Sequence, residues 1–181
     1  DDGGGLGHNE ISNTGTIAAE LGIEVTGNDN VITNGGTITA DGAAIYLWGT
    51  RNLVTNSGKL FAVDATVGTV WFASVSSDLN TLVNSGEITG QIGVLGGDGN
   101  EAIINDGTIF SDVSLGLGDD TFRGSVGAVN GVIDGWLGHD RIYSGMADDT
   151  IYASGGNDSV FGGMGDDFIH GHSGNDSIVG G

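Results

Sequence analysis

The sequence predicts an all-β fold, a single continuous parallel β-solenoid, and three observations support this prediction. Residues 11–109 repeat a short Asn-centred motif, and residues 144–181 repeat a nine-residue unit. The 181-residue chain holds 37 Gly and no Pro, and the Gly residues recur at regular spacings, which is typical of turns rather than of disorder. The period of about 3.6 residues that an amphipathic helix requires is found nowhere in the chain.

The first repeat places an Asn and a nearby Gly between two aliphatic residues. Its five copies are centred on Asn13, Asn34, Asn56, Asn84 and Asn105, at steps of 21, 22, 28 and 21 residues. Short alternating strands with this period predict coils of a parallel β-helix, whose aliphatic residues stack inward. Asn side chains that lie above one another can hydrogen-bond as a ladder, so we assign them a structural role.

The 28-residue step contains an insertion within Val63–Leu79, the most apolar stretch of the chain. We expect a longer strand or a bulging loop there. The alternative is an adhesive patch for a partner, with Trp71 and Phe72 outermost.

The second repeat is a nine-residue unit that occurs four times in tandem. The units are Ser144–Tyr152, Ala153–Phe161, Gly162–His170 and Gly171–Val179, with Asp149, Asp158, Asp167 and Asp176 at position six and Ile151, Val160, Ile169 and Ile178 at position eight. Two upstream copies are Leu115–Arg123, with Asp120, and Gly135–Tyr143, with Asp140. The first six residues of each unit favour a turn, and the last three favour a very short strand with one face inward.

Two such units make one flat coil, so residues that are eighteen apart stack at about 4.8 Å. Asp140, Asp158 and Asp176 then lie on one edge, and Asp149 and Asp167 lie on the other. Carboxylates stacked at this distance repel one another unless a cation lies between them. Carboxylate and carbonyl oxygens suit Ca²⁺, which takes six to eight of them, better than Mg²⁺. Acidic turns without any ion remain the alternative.

The nonapeptide resembles that of the RTX (repeats-in-toxin, haemolysin-type) calcium-binding family, and the resemblance covers residues 115–181. It implies a β-roll that binds Ca²⁺ through loop carbonyls and through the Asp at position six of two successive coils. The metal ligands predicted in this way are Asp120, Asp140, Asp149, Asp158, Asp167, Asp176, Gly145, Ala147, Gly156, Gly163, Gly165, Gly174, Asn157, Asp166 and Asn175.

The preceding coils are similar to the parallel β-helices of autotransporters. We therefore divide the chain into residues 1–114, with coils of 21–28 residues, and residues 115–181, the RTX calcium-binding β-roll, within the same solenoid.

The charge of the chain limits its partners. Acidic residues outnumber basic ones 24 to 4, for a net charge of −20, so we expect no binding to nucleic acid, which requires Lys and Arg. Bound Ca²⁺ would offset much of the self-repulsion. No run of about eighteen apolar residues occurs, so we expect no membrane insertion. Without Cys, neither disulfides nor thiolate metal sites can form.

The charged residues do not group in a way that predicts catalysis, so we expect that the chain is not an enzyme. The basic residues Arg51, Lys59, Arg123 and Arg141 are too far apart to form a groove for an acidic glycan. The acids Glu20, Glu24, Glu87 and Glu101 show no pairing by spacing. We interpret His170 and His172 as solvated side chains rather than as ligands of a soft metal.

Two functions are consistent with these patterns. Gly180-Gly181 followed by Asp1-Asp2 reads as further turn sequence, so we expect a fragment or unit of a larger structure. We favour a secreted, calcium-binding structural protein that self-assembles head-to-tail into an extracellular filament, matrix or surface layer. The alternative is a calcium-dependent folding and secretion module of a larger type I-secreted enzyme, toxin or adhesin. Both imply an extracellular or cell-surface location, and contact with a glycan or a surface stays open.

Overall fold

The computed structural model describes residues 8–63, 66–74 and 78–181, and it confirms the predicted all-β fold. In order, the strands are β1 Glu10–Asn13, β2 Thr16–Ala19, β3 Ile23–Thr26, β4 Val31–Asn34, β5 Thr37–Ala40, β6 Ile45–Trp48, β7 Leu53–Asn56, β8 Lys59–Ala62, β9 Gly68–Phe72, β10 Asn80–Asn84, β11 Glu87–Thr89, β12 Ile92–Leu95, β13 Glu101–Asn105, β14 Thr108–Ile109, β15 Asp112–Ser114, β16 Thr121–Gly124, β17 Ala128–Val129, β18 Val132–Asp134, β19 Arg141–Gly145, β20 Thr150–Tyr152, β21 Ser159–Gly163, β22 Phe168–His170 and β23 Ser177–Val179.

The strands form three sheets, and all of their pairings are parallel. Sheet 1 runs β1-β4-β7-β10-β13-β16-β19-β21-β23, sheet 2 runs β2-β5-β8-β11-β14-β17, and sheet 3 runs β3-β6-β9-β12-β15-β18-β20-β22. One coil is one passage of the chain through these sheets. Coils 1 to 6 contribute a strand to each of the three sheets, coils 7 and 8 contribute to sheets 1 and 3 alone, and β23 begins the next coil.

The interior is filled by aliphatic side chains that stack from coil to coil. On sheet 1 the fully buried members are Ile32, Val54, Leu82, Ile103, Phe122, Ile142 and Val160. Similar stacks rise from the other two sheets and join them in a single cluster. Because successive residues of a strand point to opposite faces, one central aliphatic residue in each short strand is sufficient to form this core.

The Asn residues of the first repeat form the predicted ladder inside sheet 1. The Nδ2 atom of Asn13 donates to Oδ1 of Asn34 at 2.8 Å, and Asn34 donates in the same way to Asn56 at 2.8 Å. The ladder continues to Asn84 and then to Asn105, at 2.8 and 2.7 Å. These amides are buried, so each one satisfies a neighbour that water cannot reach.

The 28-residue step contains β9, and the alternative that places both Trp71 and Phe72 outermost was wrong for Phe72. Phe72 is fully buried and points into the core, whereas Trp71 faces outward and is half-buried. Alternation along β9 explains this result, because neighbouring residues of a strand cannot both face outward. Residues 64–65 and 75–77 of the insertion lie outside the described residues, as do residues 1–7, which include the Asp1-Asp2 of the predicted head-to-tail junction.

The cross-section of the solenoid changes after β17, where sheet 2 ends. This point comes later than residue 115, where the repeat sequence changes. The division of the chain at residues 114 and 115 therefore remains a prediction based on sequence repeats. The described residues contain no helix of the length and apolarity that crossing a bilayer requires.

We expect Asn34→Ala to lower the free energy of unfolding by about 2–3 kcal/mol, because it leaves a buried amide of Asn13 and one of Asn56 without their partners. Urea denaturation followed by circular dichroism measures the change. Thr33→Ala is the matched control, since Thr33 is exposed on the same strand. Equal stability of the two variants would contradict a structural role for the ladder.

Candidate calcium sites

A column of polar residues lies at the corner where the chain enters sheet 1, and we call it the corner column. Its members are Asn9, Asn30, Asn52, Asn80, Glu101, Asp120, Asp140, Asp158 and Asp176. In the first four coils the members are Asn. The main-chain N–H of Asn30 donates to Oδ1 of Asn52 at 2.9 Å, and that of Asn52 donates to Oδ1 of Asn80 at 3.0 Å.

From Asp120 onward, carboxylates accept the corresponding hydrogen bonds. The N–H of Glu101 donates to Oδ1 of Asp120 at 2.6 Å, and the N–H of Asp120 donates to Oδ1 of Asp140 at 2.9 Å. The N–H of Asp140 donates to Oδ1 of Asp158 at 2.9 Å, and the N–H of Asp158 donates to Oδ1 of Asp176 at 3.0 Å. The arrangement is interrupted at one step, because the N–H of Asn80 donates to the carbonyl oxygen of Asn100 at 3.0 Å. On either side of this step the backbone arrangement is the same, and the two halves of the column differ in the charge of the side chain.

Three carboxylates of the corner column are buried and have a second oxygen without a partner. Asp120, Asp140 and Asp158 are 0%, 1% and 2% exposed, and their Oδ2 atoms make no hydrogen bond. An ionised oxygen in such a position loses its hydration without compensation, which is costly unless a cation binds it. Oxygen atoms of this kind are what a hard cation such as Ca²⁺ selects, so the column fits the ion that the sequence predicts.

The opposite edge of the flat coils repeats the arrangement. The N–H of Asp149 donates to Oδ1 of Asp167 at 3.0 Å, and Asp149 is 3% exposed with a buried, unpartnered Oδ2. The structure thus places Asp140, Asp158 and Asp176 in one column and Asp149 and Asp167 in another. Their role as metal ligands stays a prediction.

A second ladder precedes the corner column and runs in the opposite direction. Here the N–H of each residue donates to a side chain of the previous coil: His139 to Asp119 Oδ1, Asn157 to His139 Nδ1 and Asn175 to Asn157 Oδ1, each at 2.8 Å. Asp166 donates likewise to Asp148 Oδ1 at 2.8 Å. The side-chain oxygen of Asn157 therefore already accepts one hydrogen bond from the next coil.

Glycine permits the close stacking of the turns that carry the predicted carbonyl ligands. Gly156 has φ of +141°, and a Cβ there would lie 1.6 Å from the carbonyl oxygen of Gly138. The other predicted glycine ligands with positive φ are Gly145, Gly163, Gly165 and Gly174. A Cβ at Gly165 would lie 2.3 Å from the carbonyl oxygen of Ala147. These turns therefore bring the carbonyl oxygens of one coil against the backbone of the next.

No group of three or more His, Cys, Asp or Glu side chains in the described parts of the chain is arranged to hold a metal. Within a column, the carboxylates are instead separated by one coil. A complete calcium site here must therefore take main-chain carbonyls in addition to carboxylates, which is the type of ligand set that the nonapeptide predicts.

Burial raises the pKa of the buried acids of the two edges in the absence of metal. The pKa of Glu101 rises to about 8, that of Asp120 to about 9 and that of Asp140 to about 7, in each case chiefly because burial penalises the charged form. The pKa values of Asp149 and Asp158 are also raised by burial. The negative charges of Glu101 and Asp140 add to the rise at Asp120.

The expectation that Glu101 shows no pairing with another acid was wrong. Glu101 is fully buried, accepts a hydrogen bond from the N–H of Gly97 at 3.2 Å and adjoins Asp120 in the column. Glu87 pairs with Lys59 at 2.7 Å on adjacent strands of sheet 2. The signal for Glu101 is the turn Gly96-Gly97-Asp98-Gly99-Asn100, after which Glu stands where the nonapeptide has Asp.

The comparison with protein families agrees with this geometry. The family model of the RTX calcium-binding nonapeptide repeat, which holds four copies, matches residues 114–151 and 143–178. Repeats of this family bind Ca²⁺. No curated protein and no solved structure matches the chain.

The pKa shifts predict an unusual pH dependence of stability. In metal-free protein the folded state holds the column's protons at pH values where the unfolded chain has lost them. The stabilisation is therefore complete below the ordinary pKa of about 4 and is lost as the pH rises through about 7 to 9. The urea concentration at the midpoint of unfolding of the metal-free protein should therefore fall as the pH is raised from acid to alkaline values.

Asp120→Asn is the test variant, because an amide has no proton to lose and should reduce this fall. With saturating Ca²⁺ the trend should reverse, since the ion binds the deprotonated form. A metal-free midpoint that rises with pH, or an unchanged slope in Asp120→Asn, would contradict the assignment.

Proposed function

We propose, from the premise that residues 114–178 are calcium-binding RTX repeats, that this chain is a secreted structural protein whose C-terminal coils close only when Ca²⁺ is present. The observation that carries the proposal is the set of buried, unpartnered Oδ2 atoms on Asp120, Asp140, Asp149 and Asp158. These oxygens need a cation, and they lie on successive coils.

The two halves of the corner column differ in whether a charge must be buried when the coils close. Asn30, Asn52 and Asn80 are neutral, so the first coils form their inter-coil hydrogen bonds without burying charge. Asp120 and the acids that follow form the equivalent bonds only by burying a carboxylate. At low calcium the second half must take up protons or stay expanded, because the net charge of −20 adds repulsion.

The residues that would hold the ions are the predicted ones. Asp140, Asp158 and Asp176 serve one edge, Asp149 and Asp167 serve the other, and carbonyls of the glycine-rich turns complete each site. Bound Ca²⁺ supplies positive charge between adjacent coils and so links coils that would otherwise repel each other.

Calcium-dependent closure of the coils suits a protein that folds after it has left the cell. Extracellular calcium-binding modules work at 10⁻⁴–10⁻³ M Ca²⁺, well above the affinity range of cytosolic sensors. A solenoid that is expanded at low calcium can cross an export channel as an extended chain and close outside. We therefore place the protein at the cell surface or in the extracellular medium.

A structural role is favoured over catalysis by the state of the basic residues. Arg51 is paired with Asp29 and Asp78, each at 2.8 Å. Lys59 is paired with Glu87. Arg123 and Arg141 are diagonal neighbours on the outer face of adjacent strands of sheet 1, and both side chains are exposed to water rather than set in a pocket where they could stabilise a reacting anion.

Hydrogen exchange with and without calcium tests the proposal region by region. Removal of Ca²⁺ at neutral pH should abolish protection in β19 to β23 and leave protection in β1 to β8, because the first half carries no buried carboxylate in its corner column. Mass spectrometry of proteolytic fragments measures both halves in one sample. Equal protection of β19 to β23 in calcium and in chelator would refute the proposal.

Asp158→Asn tests whether the corner column binds Ca²⁺, since Asp158 lies between Asp140 and Asp176. The amide keeps the hydrogen bond to the N–H of Asp140 but removes the charge, so calorimetry should show fewer bound calcium ions. Asp41→Asn is the control, because Asp41 is exposed on a turn of coil 2. Unchanged stoichiometry and affinity in Asp158→Asn would refute the assignment of this edge.

Head-to-tail self-association is a second candidate function. It is supported by the repetition from Asp120 to Asp176, because each of these coils offers the next a main-chain donor and each following coil supplies a side-chain acceptor. A coil of a second copy can therefore extend the stack by the same contacts. The contacts are heterologous, so they would build an open filament.

Light scattering after size exclusion tests this second function. With saturating Ca²⁺ the mass should increase with protein concentration, and chelation should return the protein to single chains. Electron microscopy of the same samples should show fibres only with calcium. A monomer at every concentration of protein and calcium would exclude self-association.

A further inference from the structure

All three tryptophans of the chain line one groove on the outer face of sheet 3. Trp48 ends β6, Trp71 lies in β9, and Trp136 follows β18. Trp48 and Trp136 are 51% and 53% exposed, so two of the largest apolar side chains remain in contact with water. Clustered exposure of this kind marks a binding surface more often than scattered exposure does.

The register of sheet 3 gives the groove its shape. Trp48 and Trp136 stand at equivalent positions of coils 2 and 6, and the small residues Ala73, Gly97 and Gly116 line the groove between them. Four coil spacings separate the two tryptophans by about 19 Å. The groove is therefore long and runs along the solenoid axis, with an aromatic ring at each end.

A parallel row of side chains forms one wall. Trp71, Leu95 and Ser114 occupy matching positions on successive strands of sheet 3. Tyr46 supports this wall, because its ring meets that of Trp71 edge-to-face with centroids 5.0 Å apart. The groove encloses about 390 Å³, and an adjoining hollow of about 410 Å³ continues past Trp136 to Tyr152.

Trp136 occupies a backbone position that does not favour a large side chain. Its φ is +69°, in the left-handed region, and the matching residue of coil 5 is Gly116, with φ of +102°. A non-glycine residue is strained there, and such strain often accompanies function. The indole therefore projects into the groove at a position where glycine would cost less.

The charge around the groove favours a ligand of positive charge. Asp98 lines the groove, and Asp112 and Asp134 line the adjoining hollow. Neither hollow is lined by Lys or Arg among the residues that the structure describes. With a net charge of −20 over the chain, the groove repels anionic polymers and attracts cationic ones.

We propose that this groove binds a linear polysaccharide whose sugar units carry free amino groups. Flat indole faces stack against the C–H faces of sugar rings, and protonated amines are attracted both to aromatic faces and to the carboxylates on the rim. The length of the groove fits several sugar units lying along the axis. This inference goes beyond the proposed calcium-dependent closure and does not rest on it.

A polypeptide fits the groove less well than a sugar chain. The groove lies on the face of sheet 3, where the strands on either side already pair with one another, so a peptide cannot add as a further strand. A basic peptide could still use its charges alone. It is therefore included in the experiment as a competing ligand of equal charge.

Calorimetry with calcium-saturated protein tests the proposal with a glucosamine hexamer at a pH where its amines are protonated. The hexamer should bind and change tryptophan fluorescence, and the all-hydroxyl hexamer cellohexaose should bind about tenfold more weakly. Hexalysine, which has the charge but no sugar rings, should also bind about tenfold more weakly. Equal binding of cellohexaose would show that the amino groups do not contribute and would overturn the proposal. Equal binding of hexalysine would refute a sugar ligand.

Substitutions locate the site. Trp48→Ala and Trp136→Ala should each weaken hexamer binding about tenfold, while circular dichroism with and without calcium stays as in the parent protein. Trp136→Gly relieves the backbone strain and should lose binding without loss of stability. Phe61→Ala is the control, since Phe61 is an exposed aromatic residue on sheet 2. Unchanged affinity in the tryptophan variants, or no binding of the hexamer at all, would overturn the proposal.

Discussion

The hydrogen bond between a side-chain oxygen of one coil and the main-chain N–H of the preceding coil is the interaction on which the solenoid depends. It recurs at the corner of sheet 1 from Asn9 to Asn80 and again from Glu101 to Asp176, and it keeps these coils in register. Between the two runs, the N–H of Asn80 donates to the carbonyl oxygen of Asn100. Asn and Asp form it equally well, but Asp brings a charge into the protein interior. The chemical difference between an amide and a carboxylate thus decides whether the same backbone needs a cation to close.

Much of the fold could be predicted because the repeats are visible in the sequence. The spacing of the Asn residues from Asn13 to Asn105 predicts the length of a coil. The aliphatic residues at position eight of the nonapeptides predict the inward face of the last coils. Phe72 was misplaced because hydrophobicity alone cannot tell which of two adjacent apolar residues faces inward. That choice depends on the register of β9 against β6 and β12, which pairing with other coils determines.

The candidate sites were predictable only in part. The regular spacing of Asp140, Asp158 and Asp176 marked one edge, but Asn30, Asn52 and Asn80 belong to the same column and were not recognised as such. Glu101 was missed because it stands where the nonapeptide has Asp, and only its burial beside Asp120 shows that it belongs to the column. The groove of Trp48 and Trp136 could not be predicted either, since 88 residues separate them along the chain and only the stacking of coils brings them onto one face.

The loss of sheet 2 after β17 has a consequence for how this molecule can change its length. Each flat coil is made of two nonapeptides, and alternate nonapeptides belong to sheets 1 and 3. Gain or loss of a single nonapeptide by unequal recombination would move every later strand to the opposite sheet and carry its aspartates to the other edge. Gain or loss of a pair preserves both. Length variation in this part of the gene should therefore be tolerated in steps of eighteen codons, and not in steps of nine.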